Sequence, residues 1–308
     1  MTSINLNIRI GQKDKEDGIH IPGVQFDFKN KNARRFLITG SLHGDEPTSI
    51  AALWYLIEIL SRKKIIGKVT IIPCVNVLSA RNSERLIPLE KTDLNRVFPG
   101  RNDGSLAERI AFELVQILNN HDVLIDVHTA GWCIPFILLD NISDKNLDSF
   151  VSKWAVAAEL PVIKEMTSNL AELQGLERSW SAYAISKGKP AITLELSGFH
   201  RIQSDVARIG AEAIVKLLSS LSNRNALKYK PEFARRYEIY SNSNGFFETS
   251  AEPGNHVDKG QILGVVRDLM GDITERIYAS YQGDILALQP ISSVNVGTWL
   301  VTISSLSL

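Results

Sequence analysis

Three short stretches of the sequence carry side chains able to bind a metal ion or move a proton. SLHGDEPTS (41–49) holds His43 and Glu46 three residues apart, with Pro47 suited to the first turn of a following helix. A loop-to-helix turn there brings an imidazole and a carboxylate to one side. DVHTA (126–130) carries His128, and TLELSG (193–198) carries Glu195. Each has a plainer reading. His43 fits a turn, with Glu46 complementing the helix dipole; His128 fits a hydrogen-bonded core histidine; Glu195 fits a structural ion pair. A carboxylate inside so apolar a strand must be paired, bind a metal, or take a raised pKa.

The surrounding elements decide between these readings. RRFLITGS (34–41), KVTIIPCVNVL (68–78), DVLIDVHTA (122–130) and PAITLELSG (190–198) read as strands. Helical spacing marks 47–64, 105–120, 144–160 and 204–221, with Ser105 and Glu108 as a capping box. This alternation predicts an α/β fold: a mainly parallel mixed sheet with helices on both faces. In such sheets ligands bind beyond the carboxyl ends of the strands. His43–Glu46, His128 and Glu195 all fall at carboxyl ends, on three different strands. Two histidines and a glutamate supply the three protein ligands of a catalytic zinc, whose fourth position holds water. Glu195 is then a spare carboxylate suited to act as general base.

RLIPLEKTDLNRVFPG (85–100) lies between these pieces. Arg96 could present a planar fork to a carboxylate, with Asn95 as a second donor, and Arg85 could offset charge on an oxyanion. The competing reading is a surface loop with ordinary arginines. Beyond about residue 225 the pattern changes to short strand-like pieces broken by Gly, Pro, Asn and Asp. We place a boundary near 225–236, with an α/β domain over 1–230 and an all-β module over 231–308.

Of 308 residues, 44% are apolar and 22% charged, and 34 Lys+Arg match 34 Asp+Glu. This composition excludes a disordered chain or a coiled coil, and the charge balance argues against a nucleic-acid binder or a polybasic membrane protein. The amino terminus lacks the basic-then-apolar pattern of a secretory signal, and no apolar run is long enough to span a membrane, so a cytoplasmic location is expected. Cys74 and Cys133, in apolar surroundings, are expected as buried reduced thiols. His20, His121, His200 and His256 are isolated and show no ligand spacing.

HGDE, DLNR, DVHTA and TLELSG, in this order, resemble the succinylglutamate desuccinylase/aspartoacylase family of the zinc carboxypeptidase superfamily. The resemblance spans the chain. It implies one Zn2+ held by His43, Glu46 and His128, and Glu195 as the base that activates water and then protonates the leaving amine. It also implies that Asn95 and Arg96 hold a substrate carboxylate and that Arg85, with Arg81 as competitor, polarises the scissile carbonyl; Arg178 is a further possible substrate contact. The expected substrate is a small N-acyl amino acid, with a small-peptide metallocarboxypeptidase and a catalytically silent ligand-binding homologue as alternatives. The tail looks similar to the barrel-sandwich hybrid hairpins of biotinyl and lipoyl carriers. Lys259 lies in its first turn rather than at a modified tip, so the module is expected unmodified and packed beside the site. The oligomeric state is not readable from the sequence.

Overall fold

A computed structural model describes residues 2–10, 18–28, 33–62, 67–164, 175–221 and 234–306. Its strands are β1 (Thr2–Ile10), β2 (Ile19–Asp27), β3 (Arg35–Gly40), β4 (Lys68–Ile72), β5 (Val123–Thr129), β6 (Trp132–Cys133), β7 (Phe136–Leu139), β8 (Val162–Lys164), β9 (Ala191–Leu196), β10 (Ala234–Tyr240), β11 (Gly245–Thr249), β12 (His256–Val257), β13 (Ile262–Arg267), β14 (Ile273–Tyr278), β15 (Gly283–Leu288), β16 (Ser293–Val294) and β17 (Trp299–Leu306). Its α-helices are α1 (Pro47–Arg62), α2 (Val77–Asn82), α3 (Leu106–Asn119), α4 (Lys145–Ala155), α5 (Trp180–Ser186) and α6 (Ser204–Ser220).

The main sheet runs β1-β2-β4-β3-β5-β9-β7-β8-β10-β17-β15-β12. It is mixed. β4, β3, β5 and β9 are mutually parallel, as are β7, β8 and β10. β7 runs antiparallel to β9, and an amino-terminal hairpin, β1–β2, extends the other edge antiparallel to β4. The parallel part is where crossover helices intervene, because parallel neighbours need a long connection. The sequence reading marks neither the hairpin nor the short FILL strand β7, so it overstates the parallel share.

Alternating residues of the central strands face two different cores. Phe36, Ile38, Val123, Ile125, Ile192 and Leu194 pack with α1, α4 and α6. Leu37, Leu124 and Ala191 pack with α3 and α5 on the opposite face. With both faces covered, β5 is buried along its whole length, which accounts for its near-continuous apolar run.

The capping box at α3 is present: Ser105 accepts from the Glu108 amide, and the Glu108 carboxylate accepts from the Ser105 amide. The expected strand over 68–78 stops at Ile72. Pro73 has no N–H for a ladder, and the Asn76 side chain accepts from the Ser79 amide, starting α2 instead. Most of the expected boundary region 225–236 lies outside the described residues, which resume at Ala234. After it come strands and no described helix. β10, β17, β15 and β12 continue the main sheet, while β14-β13-β11-β16 form a second antiparallel sheet. The two share a core that includes Phe247, Leu263, Val266, Ile285, Leu300 and Ile303.

Leu56 of α1 is fully buried in the larger core. Leu56→Ala is expected to cost about 2–5 kcal/mol. Urea unfolding should show a lower midpoint at an unchanged slope; a midpoint equal to wild type would contradict this packing.

Candidate metal centre

β3, β5 and β9 are adjacent and parallel, so their carboxyl ends share one edge. The chain leaves β3 at Gly40 and turns through SLHGDE into α1. The turn is held by side chains: Ser49 Oγ accepts from the Ser41 amide and donates to the Glu46 carbonyl, and Asn76 donates to the Leu42 carbonyl. A Cβ on Gly44 would stand 2.0 Å from the Ser79 carbonyl carbon. The loop therefore lies directly on α2 and admits no larger residue there. On the neighbouring strands, His128 and Glu195 are register partners.

This arrangement brings His43, Glu46 and His128 together, all buried. His43 Nδ1 lies 2.7 Å from Glu46 Oε1 and His128 Nδ1 lies 3.0 Å from Glu46 Oε2. The Thr129 amide donates to the same Oε2 at 3.0 Å. One ligand atom from each residue falls within 4.8 Å of the others. The far nitrogens are also held. His43 Nε2 is 3.0 Å from Asp93 Oδ1, and His128 Nε2 is 2.7 Å from Asp126 Oδ2. Carboxylates on the outer nitrogens orient imidazole ligands and raise their basicity.

The charges follow from this packing. Burial opposes ionisation of Glu46, but His43 and His128 hold its carboxyl well below the usual range. Asp93, against its own burial, is likewise held low by His43, Arg85 and Arg96. Burial works against a charged His128, yet Asp126 and Glu46 raise its pKa well above the ordinary value. Glu195 behaves differently. Burial, aided by the charge of Glu46, pushes its carboxyl up to about 7. Its Oε2 is sealed from solvent without a hydrogen-bond partner.

A cavity of about 600 Å³ opens over this cluster. Arg85, Asn95, Arg96 and Glu195 line it. Arg85 stands 3.6 Å from Glu46 Oε1 and 3.2 Å from Asp93 Oδ2. Asp93 also caps the short 3-10 turn 94–96 by accepting from the Asn95 amide, so one carboxylate both orients His43 and presents Asn95 and Arg96. Arg81 sits exposed in the last turn of α2, away from the lining. Arg178 is not brought to the cavity: it is exposed, and its guanidinium donates to the Val97 carbonyl at 3.4 Å. His200, Tyr183, Tyr278 and Tyr281 do not line it either.

The sequence reading misses Asp93 and Asp126. Asp126 had a signal, since residues i and i+2 of a strand share a face and a carboxylate in VLIDVHT needs a partner. Nothing comparable marks Arg236, Glu238 and Tyr240 of β10 or Trp299 and Thr302 of β17, which also line the cavity.

The donors fit a divalent cation. They are two imidazole nitrogens and a carboxylate, converging, buried, each imidazole anchored from behind, with an unpartnered carboxylate oxygen on the adjoining strand. His43→Ala is expected to abolish stoichiometric zinc binding, measured by elemental mass spectrometry after dialysis. Retention of one zinc per chain would remove His43 from the ligand set.

Comparison with known proteins bears on the fold and the family. The family model for the succinylglutamate desuccinylase/aspartoacylase catalytic domain matches residues 32–221. An N-alpha-acetyl-L-2,4-diaminobutyric acid deacetylase of Halomonas elongata is 27% identical over 282 residues, which is 87% of this chain and 81% of that protein. A succinylglutamate desuccinylase from a Silicibacter species superposes with a TM-score of 0.83 at 22% identity, covering 99% of this chain and 95% of the other. A product-bound ectoine utilization protein of Ruegeria pomeroyi gives 0.82 at 22% identity, covering 98% and 95%. A metallo-carboxypeptidase from Burkholderia cenocepacia shares the fold more distantly, with a TM-score of 0.51 at 13% identity over 72% of this chain and 64% of that one. With its catalytic-domain model matching well over half of the sequence, this chain belongs to the succinylglutamate desuccinylase/aspartoacylase family.

Proposed function

We propose that the protein is a zinc-dependent hydrolase that cleaves the amide bond of a small N-acyl amino acid. The observation that carries this reading is the buried His43–Glu46–His128 cluster with the unpartnered Oε2 of Glu195 on the adjoining strand. Two nitrogens and one oxygen, with room left for solvent, suit zinc at a catalytic site. A zinc ion bound there supplies Lewis acidity, polarising an acyl oxygen and lowering the pKa of water toward neutrality.

The remaining work falls to side chains of this chain. Glu195 takes a proton from the attacking water onto its carboxylate. It then returns that proton to the amine nitrogen as the C–N bond breaks. Arg85 offers its guanidinium to the oxygen of the scissile carbonyl as negative charge develops. Asn95 and Arg96 hold the substrate carboxylate. Asn95 Oδ1 is committed to the Trp180 amide at 2.7 Å, so its Nδ2 is the group turned to donate. Arg178 is left out of this clamp.

The cavity, about 600 Å³ and lined in part by residues of the carboxyl-terminal strands, supports a small substrate. The relative from Halomonas elongata is named for deacetylation of an N-acetylated amino acid, in keeping with this class. The same reading divides the chain at about residue 230 and takes residues 231–308 as a barrel-sandwich hybrid module. The family model's end at residue 221 and the separate core around Phe247 support that division. We also read the protein as cytoplasmic; no described helix is long and apolar enough to cross a membrane.

Glu195→Gln is expected to keep its zinc while kcat falls about 10²- to 10⁴-fold. A zinc-loaded variant with wild-type turnover of N-acetyl and N-succinyl amino acids would refute the base assignment. Arg96→Ala should raise KM roughly 10- to 150-fold, the equivalent of about 1.5–3 kcal/mol for a charge-assisted hydrogen bond. The matching control is the amide analogue of the substrate carboxylate, against which wild type and variant should become equal.

A further inference from the structure

Trp180, the first residue of α5, is fully buried and touches neither the cluster nor the cavity. It nevertheless joins two parts of the site. Its backbone amide donates to Asn95 Oδ1 at 2.7 Å. Its indole Nε1 donates to Thr39 Oγ1 at 3.2 Å. Thr39 donates in turn to Asp126 Oδ1 at 2.7 Å, and Asp126 Oδ2 meets His128 Nε2 at 2.7 Å. Thr39, Asp126 and His128 sit on one face of β3 and β5, with Thr39 and Asp126 in register. Trp180, Thr39, Asp126 and His128 are all buried.

The donor inventory gives this chain one polarity. An indole N–H can only donate, and an ionised carboxylate can only accept. The single Thr39 proton therefore goes to Asp126, and the hydroxyl lone pair receives the indole. Asp126 Oδ2 then accepts the hydrogen bond of the Nε2–H of His128. When the imidazole is neutral, its lone pair therefore lies on Nδ1, the nitrogen facing Glu46.

Resting on the hydrolase reading above, we propose that Trp180 is a positioning residue that couples the substrate-carboxylate clamp to a metal ligand. Its amide sets Asn95; its indole, through Thr39 and Asp126, sets the tautomer and ring orientation of His128. The same ring is fixed by stacking on Phe98, with centroids 4.5 Å apart. The α5 start, the DLNR turn and the β3–β5 edge are thereby tied at one point.

The test separates the indole N–H from its packing. Trp180→Phe keeps an aromatic ring against Phe98 and keeps the backbone amide, but removes the donor. Zinc affinity, read by competition with a chromophoric chelator, is expected to weaken roughly tenfold, the lower end for partners behind a ligand. Thr39→Val should weaken it at least as much, and Thr39→Ser should restore it. The double variant Trp180→Phe/Thr39→Val should be no worse than Thr39→Val alone, since the indole acts through the hydroxyl. Zinc affinity of Trp180→Phe equal to wild type, or losses that simply add in the double variant, would overturn the proposal. If Trp180→Phe fails to fold, wild-type zinc affinity in Thr39→Val overturns it equally. Wild-type protein that binds no zinc would instead sink the hydrolase reading itself.

Discussion

The site is organised around one buried carboxylate. Glu46 lies between two imidazoles, with each of its oxygens committed to one of them. A charge so far from water is tolerable only when it is paired and hydrogen-bonded. That requirement fixes much of what surrounds it. Removing either imidazole would strip that buried charge of one of its two imidazole partners. The two histidines bring their own partners, Asp93 and Asp126, and Asp126 requires Thr39 in turn. The polar network is therefore closed outward, shell by shell, until it reaches the apolar ring of Trp180. Low dielectric makes such a network costly when incomplete and rigid when complete.

Backbone geometry makes this closure possible. Parallel pairing of β3, β5 and β9 puts three carboxyl ends at one edge, so residues far apart in the chain arrive within ångströms of each other. The period of two along each strand sorts the side chains. Odd-numbered positions of β5 feed one apolar core, while Asp126 and His128 share the other face with Leu124. The close approach of Gly44 to Ser79 then presses the loop carrying His43 and Glu46 against α2. Precision at the edge comes from packing of regular elements and not from a free loop.

Family membership and geometry agree, and they illuminate different things. The family model covers the α/β part, where the cluster lies. The carboxyl-terminal strands lie outside that match, yet they contribute to the lining of the cavity through Arg236, Glu238, Tyr240 and Trp299. Glu238 pairs with Arg236 and accepts from the Tyr240 hydroxyl, so this part of the lining is internally ordered. The cavity is thus lined from two parts of the chain, the α/β strands that carry the cluster and the carboxyl-terminal strands β10 and β17.

Local chemistry in the sequence was enough for much of this. Spacing of apolar residues marks α1, α3, α4 and α6, and the capping box at Ser105 names the start of α3, because these features depend on near neighbours. The ligand candidates were legible because buried ionisable groups in apolar strands are rare and need a reason. Proximity and partnership were not legible. Which carboxylate backs which imidazole, which arginine faces the cavity, and which way β7 runs all depend on how strands are ordered in the sheet. Arg85 and Arg178 look alike as sequence; only packing turns one toward the cluster and the other toward the Val97 carbonyl. The sequence thus determined the chemical repertoire and most of the elements that carry it. Tertiary structure decided the partnerships, because strand order and contacts between distant segments are set by burial of the whole core and leave no local trace in the chain.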